Sequence, residues 1–196
     1  MTVTDEALMR AVREGDLAQL GRLFDRYHRV LFDFLSRLTG NRHTAEDLVQ
    51  EVFLRILKYR ATYRDDAPFE TWVFRIARNA RADYYAKREK GLPLSEEALE
   101  SPDAAPGPEG QLEQERESRL LRTALLTLRE DRRELIILAR YHGMRHEAIG
   151  DLLGIDSGTV KVRIHRALKE LREIFLQLAQ RPTCNVKTPR HGLSII

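Results

Sequence analysis

Lys161, Arg163, His165, Arg166, Lys169 and Arg172 crowd one stretch of chain, and between them Val160, Ile164, Ala167, Leu168 and Leu171 recur at helical spacing. A helix with that apolar stripe buried turns its basic side chains outward. Such a surface suits nucleic acid: cations hold phosphate oxygens, and residues in the first turns of a helix read base edges in a major groove. Lys161, Val162, His165 and Arg166 are best placed to face a groove, where Val162 offers apolar contact, for example to a thymine methyl. Arg163 and Lys169 flank them. The plain alternative is an amphipathic helix with a solvated basic face.

The preceding residues favour the first reading. His146-Glu147-Ala148-Ile149-Gly150-Asp151-Leu152-Leu153-Gly154-Ile155-Asp156-Ser157 predicts a short helix, a tight turn and the start of the next helix. Close helix crossing needs a small residue, which Gly150 supplies, and the turn needs tolerance of positive φ, which Gly154 supplies. Asp156 or Ser157 suits the N-cap of the second helix. Ile149, Leu153, Ile155, Val160 and Ile164 hold the pair together.

Catalytic chemistry has no comparable set. There is no Gly-rich phosphate loop, no cysteine pair and no HExxH. His142 and His146 stand four apart with Gly143 between and no third ligand close in sequence, so no metal and no cofactor are expected. Cys184 is the single cysteine and fits a reducing cytoplasm. Neither a signal peptide nor an apolar run long enough for a membrane span is visible.

The elements that position these residues are all helical. Leu8, Val12 and Met9 mark a first helix ending at Gly15, and Asp16 with Gln19 resembles a capping box. Leu20, Leu23, Phe24, Tyr27, Leu31, Phe34, Leu35 and Leu38 form a sustained stripe that Gly40 and Asn41 stop. Leu48, Val52, Phe53, Ile56 and Leu57 mark a third helix. After a loop at 60–68, Phe69, Trp72, Val73, Ile76, Ala77, Ala80 and Tyr84 mark a fourth. Further stripes follow at Leu120–Leu128 and Leu135–Ala139, then helices at about 146–153 and 157–179. No segment alternates as a strand does.

Charge and proline divide the chain. Residues 1–90 carry 17 Lys and Arg against 14 Asp and Glu; residues 91–117 carry one against eight; residues 118–196 carry 15 against eight. Pro93, Pro102, Pro106 and Pro108 fall in the acidic middle. The expected architecture is all-α: a domain at 1–90, a flexible acidic linker at 91–117, a helix-turn-helix domain at 118–180, and a loose tail at 181–196.

Over roughly residues 5–180 the sequence resembles the extracytoplasmic-function, or group IV, sigma factors of bacterial RNA polymerase. The resemblance rests on Phe24-Asp25-Arg26-Tyr27, on Ala45-Glu46-Asp47-Leu48-Val49-Gln50-Glu51-Val52-Phe53-Leu54-Arg55, and on Phe69-Glu70-Thr71-Trp72-Val73-Phe74-Arg75-Ile76-Ala77-Arg78-Asn79. In the C-terminal half it rests on Glu147-Ala148-Ile149-Gly150 and Gly158-Thr159-Val160-Lys161-Val162-Arg163-Ile164-His165-Arg166-Ala167. Gly150 stands where the family more often has Ala.

The resemblance implies a factor, not an enzyme, that binds the polymerase core through its β and β′ subunits and recognises promoter DNA. Asp47, Gln50 and Glu51, on one helix face, would dock on a β′ coiled coil. The loop at 60–68 and the following helix would handle an opened −10 element. There Tyr59, Tyr63, Phe69, Trp72 and Phe74 supply aromatics, and Arg75, Arg78, Asn79, Arg81, Lys87 and Arg88 supply polar and cationic contacts. Trp72 and Phe69 also fit the buried stripe, and Trp72 is read as mainly structural. Lys161, Val162, Arg163, His165, Arg166 and Lys169 would read a duplex −35 element. An anti-sigma partner is implied too, and the acidic linker would either mimic nucleic acid inside the polymerase or act as a spacer. The competing reading is a conventional helix-turn-helix regulator that binds duplex DNA without polymerase.

Overall fold

The computed structural model describes residues 3–65, 67–89 and 109–180, and among them there are helices and turns but no strand. Helix α1 (Asp5–Glu14) opens at Thr4, whose hydroxyl accepts the Ala7 N–H at 3.2 Å, and closes at Gly15 with φ +110°. The expected capping box does not form. Leu17, already helical in φ and ψ, precedes α2 (Ala18–Thr39), and the chain enters by backbone turns. Gln19 therefore uses its side chain to donate to the Asp16 carboxylate, at 2.9 Å.

The stripe of α2 buries Leu23, Leu31, Phe34, Leu35 and Leu38. Asn41 then caps α3 (Arg42–Tyr59), its side-chain oxygen accepting the Thr44 N–H at 3.0 Å. A single 3₁₀ turn, Arg60–Thr62, leads toward α4 (Phe69–Glu89). The start of α4 is tied to α1, because Glu6 accepts the Phe69 N–H at 3.2 Å. Arg10 and Arg13 bind Asp65 in the intervening loop. Phe69, Val73, Phe74, Ala77 and Ala80 of α4 close the core made by α1–α3.

The second half comprises α5 (Glu109–Thr127), α6 (Glu130–Ile136) with a wider π-type turn over Ile137–Tyr141, α7 (His146–Leu153) and α8 (Ser157–Gln180). Helix α5 takes up the last residues of the segment expected to be linker. Past Gly110 that stretch holds Gln, Glu, Arg and Leu, good helix formers whose acidity hides their propensity. The rest of the expected linker and the tail with Cys184 lie outside the described residues.

Helix α8 packs on α5, α6 and α7, burying Val160, Ile164, Ala167 and Leu171. The two halves are not separate bodies. Helix α4 packs against α7, and α2 packs against α5, α6 and the π-type turn, so one apolar core runs from one half into the other. None of the described helices is long and apolar enough to cross a membrane.

Candidate nucleic-acid interface

The crossing of α7 and α8 is set by two glycines. A Cβ on Gly150 would lie 2.6 Å from the Ile155 carbonyl oxygen, closer than real Cβ atoms approach backbone. Gly154 caps α7 with φ +69°. Asp156 then starts α8: its carboxylate accepts the Thr159 N–H at 2.8 Å and the Thr159 hydroxyl. Those bonds hold the Asp156 carboxyl below the usual range. With Val160 and Ile164 anchored inside, Lys161, Val162, Arg163, His165, Arg166 and Lys169 are all exposed, Val162 at 49%. None of the six forms an ion pair with another described residue.

The aromatic and basic segment before α4 and along it behaves differently. Tyr63 was expected at a DNA surface and is instead core, 2% exposed. Its ring packs against Trp72 at 5.2 Å and Phe69 at 6.1 Å, and its hydroxyl donates to the Ala67 carbonyl at 3.3 Å. Burial pushes its hydroxyl pKa up to about 12. Tethering of the loop to α1 through Arg10, Arg13 and Asp65 is what turns the ring inward. Phe69 and Phe74 are fully buried as well, and Trp72 is half-buried against Tyr63 and Phe69. Asn79 and Arg88 are exposed.

The three arginines on the outer face of α4 meet the other half of the molecule. Arg75 donates to the Asp151 carbonyl at 3.0 Å. Arg78 pairs with Glu134 at 2.6 Å and donates to the Leu152 carbonyl at 3.3 Å. Arg81, 8% exposed, pairs with Glu130. Asp151 and Leu152 end α7, where carbonyls lack intrahelical partners and the helix dipole is negative. The arginines thus find carboxylates and carbonyl oxygens in an array that resembles what a phosphate backbone offers. The hydrogen bond from Arg81 holds the Glu130 carboxyl below its ordinary range. Arg133 adds a clamp, donating to the carbonyls of Leu38, Leu126 and Leu128 at 2.7, 2.7 and 3.0 Å. Sequence spacing could not reveal the links of Glu130, Arg133 and Glu134 to the other half, because Arg81, Leu38 and Arg78 lie far away in the chain.

On α3, Asp47 and Gln50 are exposed, and Glu51 is half-buried and bonded to Arg55 at 2.6 Å. Arg55 also reaches Asp83 of α4 at 2.7 Å. Leu54, four residues past Gln50, is 62% exposed, so this polar face carries an apolar contact that periodicity alone did not single out. No group of three or more His, Cys, Asp or Glu among the described residues is placed to hold a metal ion.

Comparisons with known proteins agree with this geometry. Residues 23–91 match the family model for Sigma-70 region 2, and residues 118–171 match that for Sigma-70 region 4. The chain is 36% identical to the ECF RNA polymerase sigma factor ShbA of Streptomyces griseus, over 90% of this chain and 97% of that one. It is 32% identical to the RNA polymerase sigma factor CarQ of Myxococcus xanthus, over 87% and 97% of the two chains. Among solved structures, CnrH in complex with the cytosolic domain of CnrY superposes with a TM-score of 0.65 at 26% identity, over 90% of this chain and 99% of that one. RpoE of Bartonella quintana, in complex with the anti-sigma factor NepR, shares the fold with a TM-score of 0.62 at 24% identity, over 80% and 96% of the chains. This chain belongs to the extracytoplasmic-function (group IV) family of RNA polymerase sigma factors.

Proposed function

We propose that this sigma factor, acting in the cytoplasm and without catalysis of its own, reads a promoter in two chemically different ways. Its family works with RNA polymerase in promoter-specific transcription initiation. In this chain the helix-turn-helix half reads a −35 element as duplex, through Lys161, Val162, Arg163, His165, Arg166 and Lys169. The N-terminal half engages a −10 element as opened strand through Arg75, Arg78, Asn79, Arg81 and Arg88. Asp47, Gln50 and Leu54 form the docking face for the β′ subunit of the core, with Glu51 steadied by Arg55. The β subunit receives the other half.

The observation that carries this reading is the outer face of α8. Its six candidate residues are exposed, while the apolar residues between them fix the helix against α7 through a close turn in which a Cβ at position 150 would crowd the Ile155 carbonyl oxygen. Contact with −10 DNA through Arg75, Arg78 and Arg81 requires the halves to separate, because Glu130, Glu134 and the end of α7 occupy those side chains in the closed chain. Polymerase binding is the step that separates them. RpoE of Bartonella quintana, which shares the fold, is in complex with an anti-sigma factor, and an anti-sigma partner that favours the closed arrangement is proposed for this chain too.

Run-off transcription with purified core polymerase on genomic fragments tests the reading. Promoter-specific transcripts that require this chain are expected. No such transcripts, together with dimeric binding to duplex DNA in the absence of polymerase, would establish a conventional regulator instead.

A further inference from the structure

His142 stands where the two halves meet. It follows the π-type turn directly, and its N–H donates back to the Ile137 carbonyl at 3.1 Å. Its ring makes T-shaped contacts with Phe34 of α2 at 5.8 Å and Phe74 of α4 at 5.3 Å, both fully buried side chains of the other half. Its Nε2 is buried and has no hydrogen-bond partner. A neutral imidazole tolerates that position as an acceptor left idle. An imidazolium does not, because it brings a charge and a second N–H donor to a buried position without a protein acceptor.

We propose that closure of the two halves is proton-sensitive and that His142 is its sensor: protonating the imidazole separates α4 from α6 and α7 and releases Arg75, Arg78 and Arg81. The separation itself follows from the interface alone; its consequence for DNA rests on the function proposed above.

The charged groups around the ring do not offset its burial. Asp33 and Arg37 of α2 act on it in opposite directions. They are bonded to each other at 2.9 Å, and Arg37 lies over the Tyr141 ring at 4.0 Å. From α4 the facing group is the uncharged Phe74, and the nearby Arg78 is engaged by Glu134 of α6. Arg133 of α6 is turned to backbone carbonyls. On α7, His146 is half-buried and Glu147 exposed. Burial therefore dominates and holds His142 below its ordinary value of 6.5.

The sign of the effect follows from linkage. Separation exposes the ring and returns it toward 6.5, so the open form binds the proton more tightly. Closure has its full strength above that value and weakens as pH falls below it, toward the lower value of the closed form. The pair between Glu130 and Arg81 persists through this window, because its carboxyl is held below the ordinary range.

Small-angle scattering of the full chain at about pH 7.5 and about pH 5.5, where an ordinary histidine changes charge, is the direct test. The radius of gyration of the natural chain is expected to rise on acidification with its far-UV circular dichroism unchanged. The His142→Gln and His142→Leu chains are expected to stay compact at both values. A natural chain that stays compact, an expansion accompanied by loss of helix, or variants that expand in parallel with it would overturn the proposal. Should both variants fail to fold, the imidazole of the natural chain is titrated by NMR, alongside a Glu130→Gln, Glu134→Gln chain whose latch is weakened. A lower midpoint in the natural chain supports the sensor, and equal midpoints overturn it. None of these readouts involves polymerase or promoter DNA, so failure here leaves the sigma-factor reading untouched.

Discussion

Individual side chains decide how tightly the DNA-reading half is held and what it reads. At position 150 the family's more frequent alanine would bring its Cβ to 2.6 Å from the Ile155 carbonyl. Backbone must then shift, and overpacking of this kind costs about 1–3 kcal/mol. Gly150→Ala is accordingly expected to lower the thermal midpoint, and an unchanged midpoint would show that the turn yields freely. Arg166 has a different role. It is exposed on α8 and bears on no packing, so Arg166→Ala is expected to leave stability within about 0.5 kcal/mol. It should weaken −35 recognition by about 1–3 kcal/mol. Run-off transcription on a panel of −35 variants checks this: unchanged promoter ranking would remove Arg166 from base reading.

At the scale of elements, most of the helices were legible because each buries one stripe and each stop has a local cause. Gly15, Gly40 and Gly154 all end helices with positive φ, as their positions in the sequence suggested. The misreadings have physical reasons. The capping box at Asp16 failed because Leu17 already adopts helical angles, so no orphan N–H was aimed at the carboxylate. Helix α5 starts inside an acidic stretch because net charge reports on solvation and says little about helix propensity. Tyr63 looked like a surface aromatic because nothing in its neighbourhood reveals that Arg10 and Arg13 of α1 bind the loop that carries it. The exposure of Asp47 and Gln50 on α3 was legible from their spacing, and that of Leu54 was not. Reversing the charge there tests the docking role. Asp47→Arg with Gln50→Arg alters only exposed positions, so the helix content should be retained. Association with core polymerase is expected to be lost, and copurification of the doubly substituted chain with the core would place the docking face elsewhere.

For the whole molecule, the closed arrangement is a balance that leaves costs standing. It satisfies Arg75, Arg78 and Arg133 with carboxylate and carbonyl oxygens, yet Nε of Arg81, Nε of Arg133 and Nε2 of His142 are buried without partners. A buried donor without an acceptor costs about 1–3 kcal/mol, so the two arginine N–H groups count against the closed form and favour a ligand with better-placed acceptors. On the proposed function nucleic acid is such a ligand, its phosphates taking the place of Glu130 and Glu134. The pair between Arg78 and Glu134 is well shielded, with side-chain exposures of 30% and 10%. A charged hydrogen bond of that kind contributes about 1.5–3 kcal/mol. Glu130 is largely exposed and contributes less. Glu130→Gln with Glu134→Gln should therefore move the closed–open equilibrium by roughly 2 kcal/mol, and affinity for a short single-stranded oligonucleotide can rise by at most about 30-fold. Removing two acids strengthens DNA binding wherever they lie on the surface, so the control carries Glu46→Gln and Glu173→Gln, two exposed acids on α3 and α8. A gain confined to the first pair means that the carboxylates of α6 compete with DNA for the arginines of α4. Equal gains in both chains would mean that charge alone is responsible and that the closed arrangement does not restrain DNA binding.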